Sequence, residues 1–430
     1  MDQIINMQLL NYIKRLIKSK AIKSLPLFLL LCLNLFSQKN RKVLFVIADG
    51  IPADVLERLK TQTPALNAIS KQGGYTRAYV GGEKDGYSQT PTISAVGYNS
   101  LLTGTWVNKH NVWDNDIAAP NYNYWNIYRF FKTQYPKKTT AVFSTWLDNR
   151  TKLVGSDSAK AANLQPEYYF DGMELDTIRY PHDTAGYFYY RIDEAVADTT
   201  AAYIKRVAPD LSWVYLEYTD EMGHRHGNSK QMDDAVIKMD KQIQRIWQAI
   251  QYREKNFNEE WQIWITTDHG RENNGYHHGG QTQRERTTWI ITNANGLNER
   301  FKKQQPAIVD IMPSIASFLK INIPKEKLME IDGVSLVGTL SATDAKAVLA
   351  DDGAIEVEWT VINKEGKAKI WLASTNNFKT GGKDQYHFIT ELPVASGAIR
   401  LSVKELPSDF YKIVIETPHN FLNRWVIVKK

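Results

Sequence analysis

The feature that most constrains this chain is a set of short apolar, β-favouring runs that end in polar residues. Residues 42–48 run directly into Asp49, residues 212–218 lead to Asp220, and residues 261–265 lead to Asp268. Continuous apolar runs of this length are typical of strands buried on both faces of a parallel sheet. Segments with helical spacing separate them, so we predict an α/β fold with a doubly wound, mostly parallel sheet.

The other elements predicted for this domain, residues 38–345, follow the same alternation. Three further strands are expected at residues 75–80, 140–144 and 287–292. Helices are expected at residues 53–60, 64–72, 93–102, 194–207, 230–251 and 308–319. Thr63 is the expected N-cap of the second helix, and Ser94 opens the third. Residues 113–190 are rich in tyrosine and tryptophan and are predicted to form an insert, either as packed core or as the wall of a substrate pocket.

The sequence pattern changes at about residue 350. Residues 355–361, 368–373, 398–403 and 411–416 alternate apolar and polar side chains, with glycine, asparagine and proline between them. This alternation is typical of strands that bury one face. We therefore predict a small antiparallel β-sandwich over residues 350–430, which contains no obvious catalytic cluster.

Residues 1–37 have the composition of a signal peptide. A basic segment precedes a short apolar run, and Ser37 offers a small residue for cleavage. Because the run is too short to span a bilayer comfortably, an uncleaved anchor is the weaker interpretation. A lipoprotein formed through Cys32 is weaker still, because Leu31 stands where such signals have a small residue. We expect a periplasmic or secreted protein with no transmembrane segment after cleavage.

The charge and the cysteine content exclude some functions. The formal net charge is +6. Residues 1–37 hold five basic side chains and one aspartate, so the remainder is near +2. So small a net positive charge predicts that the protein does not bind a nucleic-acid polymer. Cys32 is the only cysteine, so a metal site in the cleaved protein would be built from histidines and carboxylates.

Chemically active side chains follow several of the predicted strands. They are Asp49, Ser94, Asp220, His224, Asp268, His269 and either His277 or His278. Ligands of open α/β sheets bind beyond the carboxyl ends of the strands. Oxygen and imidazole donors suit zinc best, with manganese or iron as alternatives. Seven candidates favour a paired-metal site for phosphoryl transfer. For one such stretch alone, a polar turn with solvated histidines is the alternative.

Ser94 is the candidate nucleophile among these residues. A metal ion would hold its hydroxyl as the alkoxide, which corrects the weakness of an unactivated serine. Its predicted position at the start of a helix would also aim backbone N–H groups at an anion.

These sequence blocks resemble the alkaline phosphatase superfamily and, within it, the type I phosphodiesterase/nucleotide pyrophosphatase branch. The resemblance covers about residues 40–340. In that superfamily the nucleophile lies ten residues before the glycine of a Thr-Gly pair, and Thr103 with Gly104 points back to Ser94. Thr90 and Thr92 do not lie at this spacing from Gly104, so neither is preferred as the nucleophile.

The resemblance also implies which residues bind metal. One zinc ion would be held by Asp49, Ser94, Asp268 and His269, and the other by Asp220, His224 and His278. His278 is preferred to His277 because the histidine of the family pattern is followed by glycine. The branch carries an asparagine twenty-one residues after the nucleophile, which is Asn115 here. Its amide would donate to a phosphate oxygen as charge builds.

The sequence departs from related patterns at several positions. Alkaline phosphatases proper carry a glutamate for a magnesium site where this chain has Tyr215, so no third metal site is expected. The formylglycine motif of sulfatases is absent after Ser94, which argues against sulfatase activity as the main role. Ala95 stands where nucleotide pyrophosphatases often have a base-stacking aromatic residue. No motif supplies a cation for a phosphomonoester; the candidates are Arg150, Lys152, Arg179 and Arg191.

The sequence therefore predicts a secreted hydrolase that uses two metal ions to cleave a small phosphorylated substrate through a covalent intermediate on Ser94. A phosphodiesterase is the first expectation because Asn115, rather than an arginine, matches the phosphate-side position. A phosphomonoesterase is the alternative, and a phosphonate hydrolase or a phosphoethanolamine-type transferase is less favoured. A non-catalytic binding protein is expected to lack some of the metal ligands or the nucleophile. All seven of these residues are present in this chain. The sequence does not indicate an oligomeric state.

Overall fold

The computed structural model describes residues 39–428, so the predicted signal peptide lies outside the described residues. The strands of the larger, N-terminal part are β1 (Asn40–Ala48), β2 (Gly74–Tyr79), β3 (Thr140–Ser144), β4 (Tyr168–Phe170), β5 (Leu211–Leu216), β6 (Glu259–Thr266) and β7 (Thr287–Thr292). The α-helices are α1 (Ala53–Arg58), α2 (Pro64–Ser70), α3 (Ser94–Thr103), α4 (Val107–His110), α5 (Ile127–Gln134), α6 (Tyr187–Arg206), α7 (Tyr218–His226), α8 (Lys230–Asn256), α9 (Gln283–Arg286), α10 (Glu299–Lys303), α11 (Ile311–Phe318) and α12 (Lys325–Leu328).

The strands β1 to β7 form one sheet in the order β2-β7-β6-β1-β5-β3-β4. β1 pairs in parallel with β5 on one side and with β6 on the other. β7 is antiparallel to both of its neighbours. The predicted α/β fold with a mostly parallel sheet is confirmed. The antiparallel direction of β7 was not predicted, because a strand's direction is not encoded in its hydrophobic pattern.

Helices cover both faces of this sheet. Along β1 the side chains of Val43, Phe45 and Ile47 enter one core, which α3, α5 and α11 complete. The alternate side chains, Leu44 and Val46 among them, enter the second core, which α1, α2, α6 and α8 complete. Burial on both faces explains why β1 reads as a continuous apolar run rather than an alternating one.

Two antiparallel sheets follow near the C-terminus. Their strands are β8 (Ala342–Leu349), β9 (Ala354–Val361), β10 (Lys367–Ala373), β11 (His387–Pro393), β12 (Ala398–Ser402), β13 (Phe410–Glu416) and β14 (Phe421–Ile427). One sheet has the order β11-β10-β13-β14 and the other β12-β9-β8. Inward-facing residues of both sheets share one core, as in a β-sandwich. β8 precedes residue 350, at which the alternating pattern was expected to begin.

A buried ion pair and a buried hydrogen bond join the sandwich to the larger part. Lys109, which is fully buried, donates to Asp332 at 2.5 Å and to Asn423 of β14 at 2.7 Å. Lys412 of β13 donates to Glu330 at 2.6 Å and to Asp384 at 2.8 Å. Each buried cation therefore has a carboxylate partner, without which its burial would be very costly.

Thr63 stands at the N-cap position of α2, as predicted. The Thr63 side chain makes no capping bond and instead donates to the carbonyl oxygen of Leu59 at 3.3 Å. The carboxylate of Asp240, from α8, accepts from the backbone N–H groups of Ala65 and Leu66. A carboxylate from a distant helix thus satisfies the free N–H groups of the first turn, which a local sequence pattern does not reveal.

Two helices extend beyond their predicted bounds. α6 begins at Tyr187, before the predicted start at residue 194, and the Asp183 carboxylate accepts from the Tyr187 N–H at 2.8 Å. α8 continues to Asn256. Residues 113–190 contribute α5, β3 and β4, so their aromatic side chains include core residues such as Tyr128 and exposed ones such as Tyr169. Within residues 39–428 the helices are all too short or too polar to cross a lipid bilayer.

Candidate metal centre

The candidate residues meet at one edge of the sheet because β1, β5 and β6 are parallel neighbours. Asp49 follows β1 directly, and Asp268 and His269 follow β6. α7 begins just after β5 and presents Asp220 and His224 one turn apart, with 3.2 Å between Asp220 Oδ2 and His224 Nε2. Parallel strands bring their carboxyl ends together, which is where open α/β sheets bind ligands.

The Nε2 atom of His269 lies at the centre of the first group of ligands. It is 3.3 Å from Ser94 Oγ, 3.4 Å from Asp49 Oδ1 and 3.2 Å from Asp268 Oδ2. The other ring nitrogen, Nδ1, is 2.9 Å from the carbonyl oxygen of Gly270. Because a carbonyl oxygen only accepts, Nδ1 carries a proton, and Nε2 is the ring nitrogen that faces these oxygens.

His278 has the same arrangement in the second group. Its Nδ1 is 2.8 Å from the carbonyl oxygen of Thr92, so Nε2 is the free nitrogen. Nε2 lies 3.1 Å from His224 Nε2 and 3.9 Å from Asp220 Oδ1. His277 is exposed, with its ring centroid 6.5 Å from that of His224. The structure thus brings His278, and not His277, against Asp220.

Two sets of these side chains have the geometry to hold a metal ion. Within each set the ligand atoms lie within 4.8 Å of one another: Asp220, His224 and His278 in one, and Asp49, Asp220 and His269 in the other. Asp220 belongs to both sets. Asp268 stands beside the second set through its contact with His269.

The charges of the buried groups fit bound cations. The Oδ1 atom of Asp49 and the Oδ2 atom of Asp268 are buried and have no hydrogen-bond partner. Burial and the nearby Asp49 raise the pKa of Asp268 well above its ordinary value. Although burial opposes its charge, Asp268 and Asp49 raise the pKa of His269 to about 9. Burial and His269 lower the pKa of His278 to about 3. Buried carboxylate oxygens without a hydrogen-bond partner, clustered beside imidazole nitrogens, form a set of donors that suits a bound cation.

Two tyrosine hydroxyls hold the other oxygen of Asp49. The hydroxyl groups of Tyr98 and Tyr215 both donate to Asp49 Oδ2, the second at 2.6 Å. Asp49 Oδ1 is thereby left as the oxygen that faces His269. The sequence drew attention to Tyr215 only through the glutamate that it replaces, and it gave no signal for Tyr98 because the contact depends on the packing of α3 against the sheet.

Arg271 is a residue of the site that the sequence interpretation missed. Its side chain is 1% exposed and forms an ion pair with the Asp220 carboxylate. Its Nε atom donates to the carbonyl oxygen of Gly50 at 2.9 Å. A Cβ atom on Gly223 would lie 2.2 Å from the Arg271 guanidinium carbon. Burial by itself would raise the pKa of Asp220, but the Arg271 guanidinium holds that pKa well below its ordinary value.

Asn115 lies beside the nucleophile. The backbone N–H of Ala95, the second residue of α3, donates to Asn115 Oδ1 at 3.0 Å. Because this bond uses the oxygen of the amide, the Nδ2 amino group is the end left to donate to a ligand. The start of α3 thus orients Asn115.

Most of the cations proposed for a phosphomonoester have carboxylate partners. Arg150 makes two hydrogen bonds to Asp171, at 2.6 and 3.0 Å. Lys152 lies 2.8 Å from Asp148, and Arg191 lies 3.7 Å from Asp183. The exception within the described residues is Arg179, which is exposed and whose side chain has no such partner.

Comparisons with known proteins give one family and one fold. The family model described as type I phosphodiesterase/nucleotide pyrophosphatase matches residues 43–314. A crystal structure of a mutant of the alkaline phosphatase PafA is 12% identical with a TM-score of 0.51, over 70% of this chain and 99% of that one. The crystal structure of Ps i-CgsB is 12% identical with a TM-score of 0.50, over 76% of this chain and 83% of that one. These two structures share the fold of this chain.

One curated relative matches a shorter stretch. The 2,3-bisphosphoglycerate-independent phosphoglycerate mutase of Mycoplasma mycoides subsp. mycoides SC is 28% identical over 136 residues, which is 31% of this chain. The match spans 24% of the length of that mutase.

Proposed function

The chain belongs to the type I phosphodiesterase/nucleotide pyrophosphatase family of the alkaline phosphatase superfamily, and we propose that it hydrolyses a phosphodiester through a covalent intermediate on Ser94. As a member of this family it is a metal-dependent phosphoester hydrolase. The observation that carries the proposal is the 3.3 Å approach of Ser94 Oγ to His269 Nε2, beside two buried carboxylate oxygens that have no hydrogen-bond partner.

We assign the metal ligands on the same observation. Asp49, Asp268 and His269, with Ser94, would hold one ion, and Asp220, His224 and His278 would hold the other. Two divalent cations, zinc by the mixture of imidazole and carboxylate donors, would supply positive charge that activates the Ser94 hydroxyl and stabilises the leaving oxygen. The backbone carbonyls of Gly270 and Thr92 accept from the two Nδ1 atoms and so leave Nε2 of each ring as the nitrogen that would bind a metal ion.

The reaction then proceeds in two displacements at phosphorus. Ser94 Oγ gives its proton to water and bonds to phosphorus, while the bond from phosphorus to the departing alkoxide breaks and the alkoxide takes a proton from water. Asn115 Nδ2 donates to a non-bridging oxygen as negative charge builds on it. A water molecule next attacks phosphorus, the bond to Oγ breaks, and the free Ser94 hydroxyl returns.

The substrate proposed is a small phosphodiester. A diester phosphate carries one negative charge, which a neutral donor such as Asn115 suits. Arg150 is already paired with Asp171, so its charge is not free for a dianion. A phosphomonoester is the second candidate, because Lys152 Nζ, although it is paired with Asp148 at 2.8 Å, also donates to the carbonyl oxygen of Asp116 at 3.3 Å. That contact places a cation one residue from Asn115.

The test compares initial rates on bis-p-nitrophenyl phosphate and p-nitrophenyl phosphate. We expect a higher kcat/KM on the diester, lost in Ser94→Ala, with both metal ions still present by elemental analysis. Ser317→Ala is the matched control, because Ser317 is exposed on α11. Acid-quenched turnover should leave phosphate on the peptide that contains Ser94, read by mass spectrometry. Wild-type turnover in a metal-loaded Ser94→Ala protein would overturn the assignment.

We also propose that the protein is exported, on the basis of residues 1–37. The mature N-terminus, measured by sequencing of protein from a periplasmic or culture fraction, should follow Ser37. Recovery of the intact N-terminus in the cytoplasmic fraction alone would contradict this proposal.

A further inference from the structure

A polar groove of about 550 Å³ lies where the sandwich meets the larger part of the chain. Its walls come from residues 82–88, which precede the Ser94 segment, from the end of α9 and from strands β8 and β14. This volume lies within the range of small-molecule sites, which often form between domains. None of the candidate metal ligands lines the groove.

The groove is lined by an excess of positive charge. Four cations, Lys84, Arg286, Lys346 and Arg424, face two carboxylates. The ammonium groups of Lys84 and Lys346 make no hydrogen bond or ion pair with any residue in the range 39–428, and neither arginine has a carboxylate within salt-bridge distance there. The two carboxylates are those of Glu83 and Asp344, and Asp344 is already paired with Arg300 at 2.6 Å.

Backbone carbonyls hold the two arginines in place without neutralising them. Arg286 donates to the carbonyl oxygens of Val80 and Gly82, the second at 2.6 Å. A Cβ atom on Gly81 would lie 2.9 Å from Arg286 Nε, so this glycine, at φ +96°, leaves the room that the side chain occupies. A guanidinium fixed by neutral acceptors keeps its full charge and has further N–H groups to donate.

Arg424 is held in the same way from the opposite wall. It donates to the carbonyl oxygens of Ala345 and Asn423. The register of β8 shifts between Thr343 and Lys346, and such bulges re-aim side chains at binding sites. The two walls therefore present anchored guanidinium groups to one space.

Stacked aromatic pairs form the apolar part of the lining. Tyr79 stacks on Trp106 with 5.9 Å between ring centroids, and Tyr87 stacks on Trp425 at 5.6 Å. Rigid rings beside cations are suited to an organic ring that carries negative charge.

We propose that this groove binds a small organic anion with at least two negative charges on a ring scaffold, such as a carboxylated or phosphorylated sugar. The site is separate from the candidate metal centre, and it does not depend on the reaction proposed for Ser94. It gives the sandwich a part in ligand binding, since Lys346 and Arg424 both belong to its strands.

Calorimetric titration of the metal-loaded full chain tests this proposal. The probes are digalacturonate, fructose 1,6-bisphosphate and, as a neutral ring compound, cellobiose; the protein carries Ser94→Ala so that no phosphate is removed. We expect one of the two anions to bind with 1:1 stoichiometry, more weakly at high salt, and cellobiose not to bind. Which anion binds distinguishes carboxylate from phosphate recognition.

The decisive comparison uses a pair of matched variants. Lys346→Gln with Arg424→Gln should weaken binding at least tenfold and leave the rates of the enzyme with native Ser94 unchanged. Lys364→Gln with Lys404→Gln removes the same charge from exposed positions elsewhere in the sandwich and should bind as before. Lys346→Gln alone, at an exposed side chain without partners, should show a smaller loss even if the double variant is unstable. No binding of either anion, or equal binding by the groove variant and its control, would overturn the proposal.

Discussion

The guanidinium of Arg271 is buried against the carboxylate of Asp220: its Nη2 atom pairs with Oδ1 and also donates to the main-chain carbonyl oxygen of Asp220 at 2.7 Å. The same side chain donates to the carbonyl oxygen of Gly50. Arg271 therefore ties the end of β1 to the start of α7, and it fixes the carboxylate that belongs to both sets of candidate metal ligands.

We predict that Arg271→Met lowers the free energy of unfolding of the metal-free protein by about 3 kcal/mol, because it leaves a largely buried carboxylate without its partner. Added zinc should recover part of this loss. The control is Arg225→Met, which breaks an ion pair with Glu221 on the same helix. Since Arg225 is 38% exposed, its loss should cost about 0.5 kcal/mol in urea unfolding. Equal effects of the two changes would show that the buried pair has no special role.

The two adjacent histidines provide a second prediction. If two metal ions bind as we propose, His278→Ala should lose one of them and about 100-fold or more in kcat/KM on a diester, because its Nε2 faces Asp220 and His224. His277→Ala should keep both ions and nearly all activity. Metal content by elemental analysis and initial rates provide the measurements. The reverse pattern would mean that the neighbouring ring is the ligand.

Asn115 supports a third prediction. Asn115→Ala should lower kcat/KM on a diester by about 100-fold, since a donor aimed at the developing charge is removed. Binding of the metal ions should not change, because Asn115 contacts the Ala95 N–H rather than a candidate ligand. Asp116→Ala alters an exposed neighbour and serves as the control. A fall in metal content that parallels the loss of rate would contradict a role at the phosphate.

A fourth prediction concerns stability as a function of pH. His110 is fully buried; its Nδ1 accepts from the Val112 N–H at 3.1 Å, and its Nε2 lies 3.0 Å from Ser100 Oγ. Burial lowers the pKa of His110 from 6.5 to about 3. The unfolded chain therefore takes up a proton below about pH 6.5 that the folded chain refuses. The stability contribution is present above that pH and is lost as the pH falls towards 3.

Between pH 8 and pH 5 this single group should reduce the free energy of unfolding by about 2 kcal/mol. In the His110→Gln variant the free energy of unfolding should fall less between pH 8 and pH 5. The variant should be less stable than the wild type at every pH, because two hydrogen bonds of His110 change. His419→Gln, at an exposed position, should keep the wild-type pH dependence. Urea unfolding at several pH values measures both. An unchanged slope in His110→Gln would contradict the assignment.

The strand-end residues were accessible from the sequence for a physical reason. Parallel strands are continuous apolar runs, and their carboxyl ends share one edge of the sheet, so Asp49, Asp220 and Asp268 could be expected to meet. The approach of Ser94 to His269 follows from the same logic, since the helix that opens at Ser94 packs beside that edge. These relationships depend on pattern and order along the chain.

Other relationships could not be predicted, because they depend on how distant elements pack. Arg271 reaches Asp220 only because Gly50 and Gly223 leave space for its side chain. No local sequence pattern indicates that this space exists. The hydroxyl of Tyr98 meets Asp49 only once α3 lies against the sheet. In the same way, Asp240 replaces Thr63 as the cap of α2 through a contact between residues far apart in the chain.

The hydrogen bond from Lys109 to Asn423 and the ion pair of Lys412 with Glu330 make the C-terminal sandwich an integral part of the protein. Lys109 lies fifteen residues after Ser94 in the chain, and its ammonium group is satisfied in part by Asn423 of the sandwich. Removing the sandwich would strip Lys109 of one acceptor and Glu330 of its cation. We therefore expect the two regions to unfold as a single cooperative unit, and a sandwich taken from a relative would have to supply partners for Lys109 and Glu330.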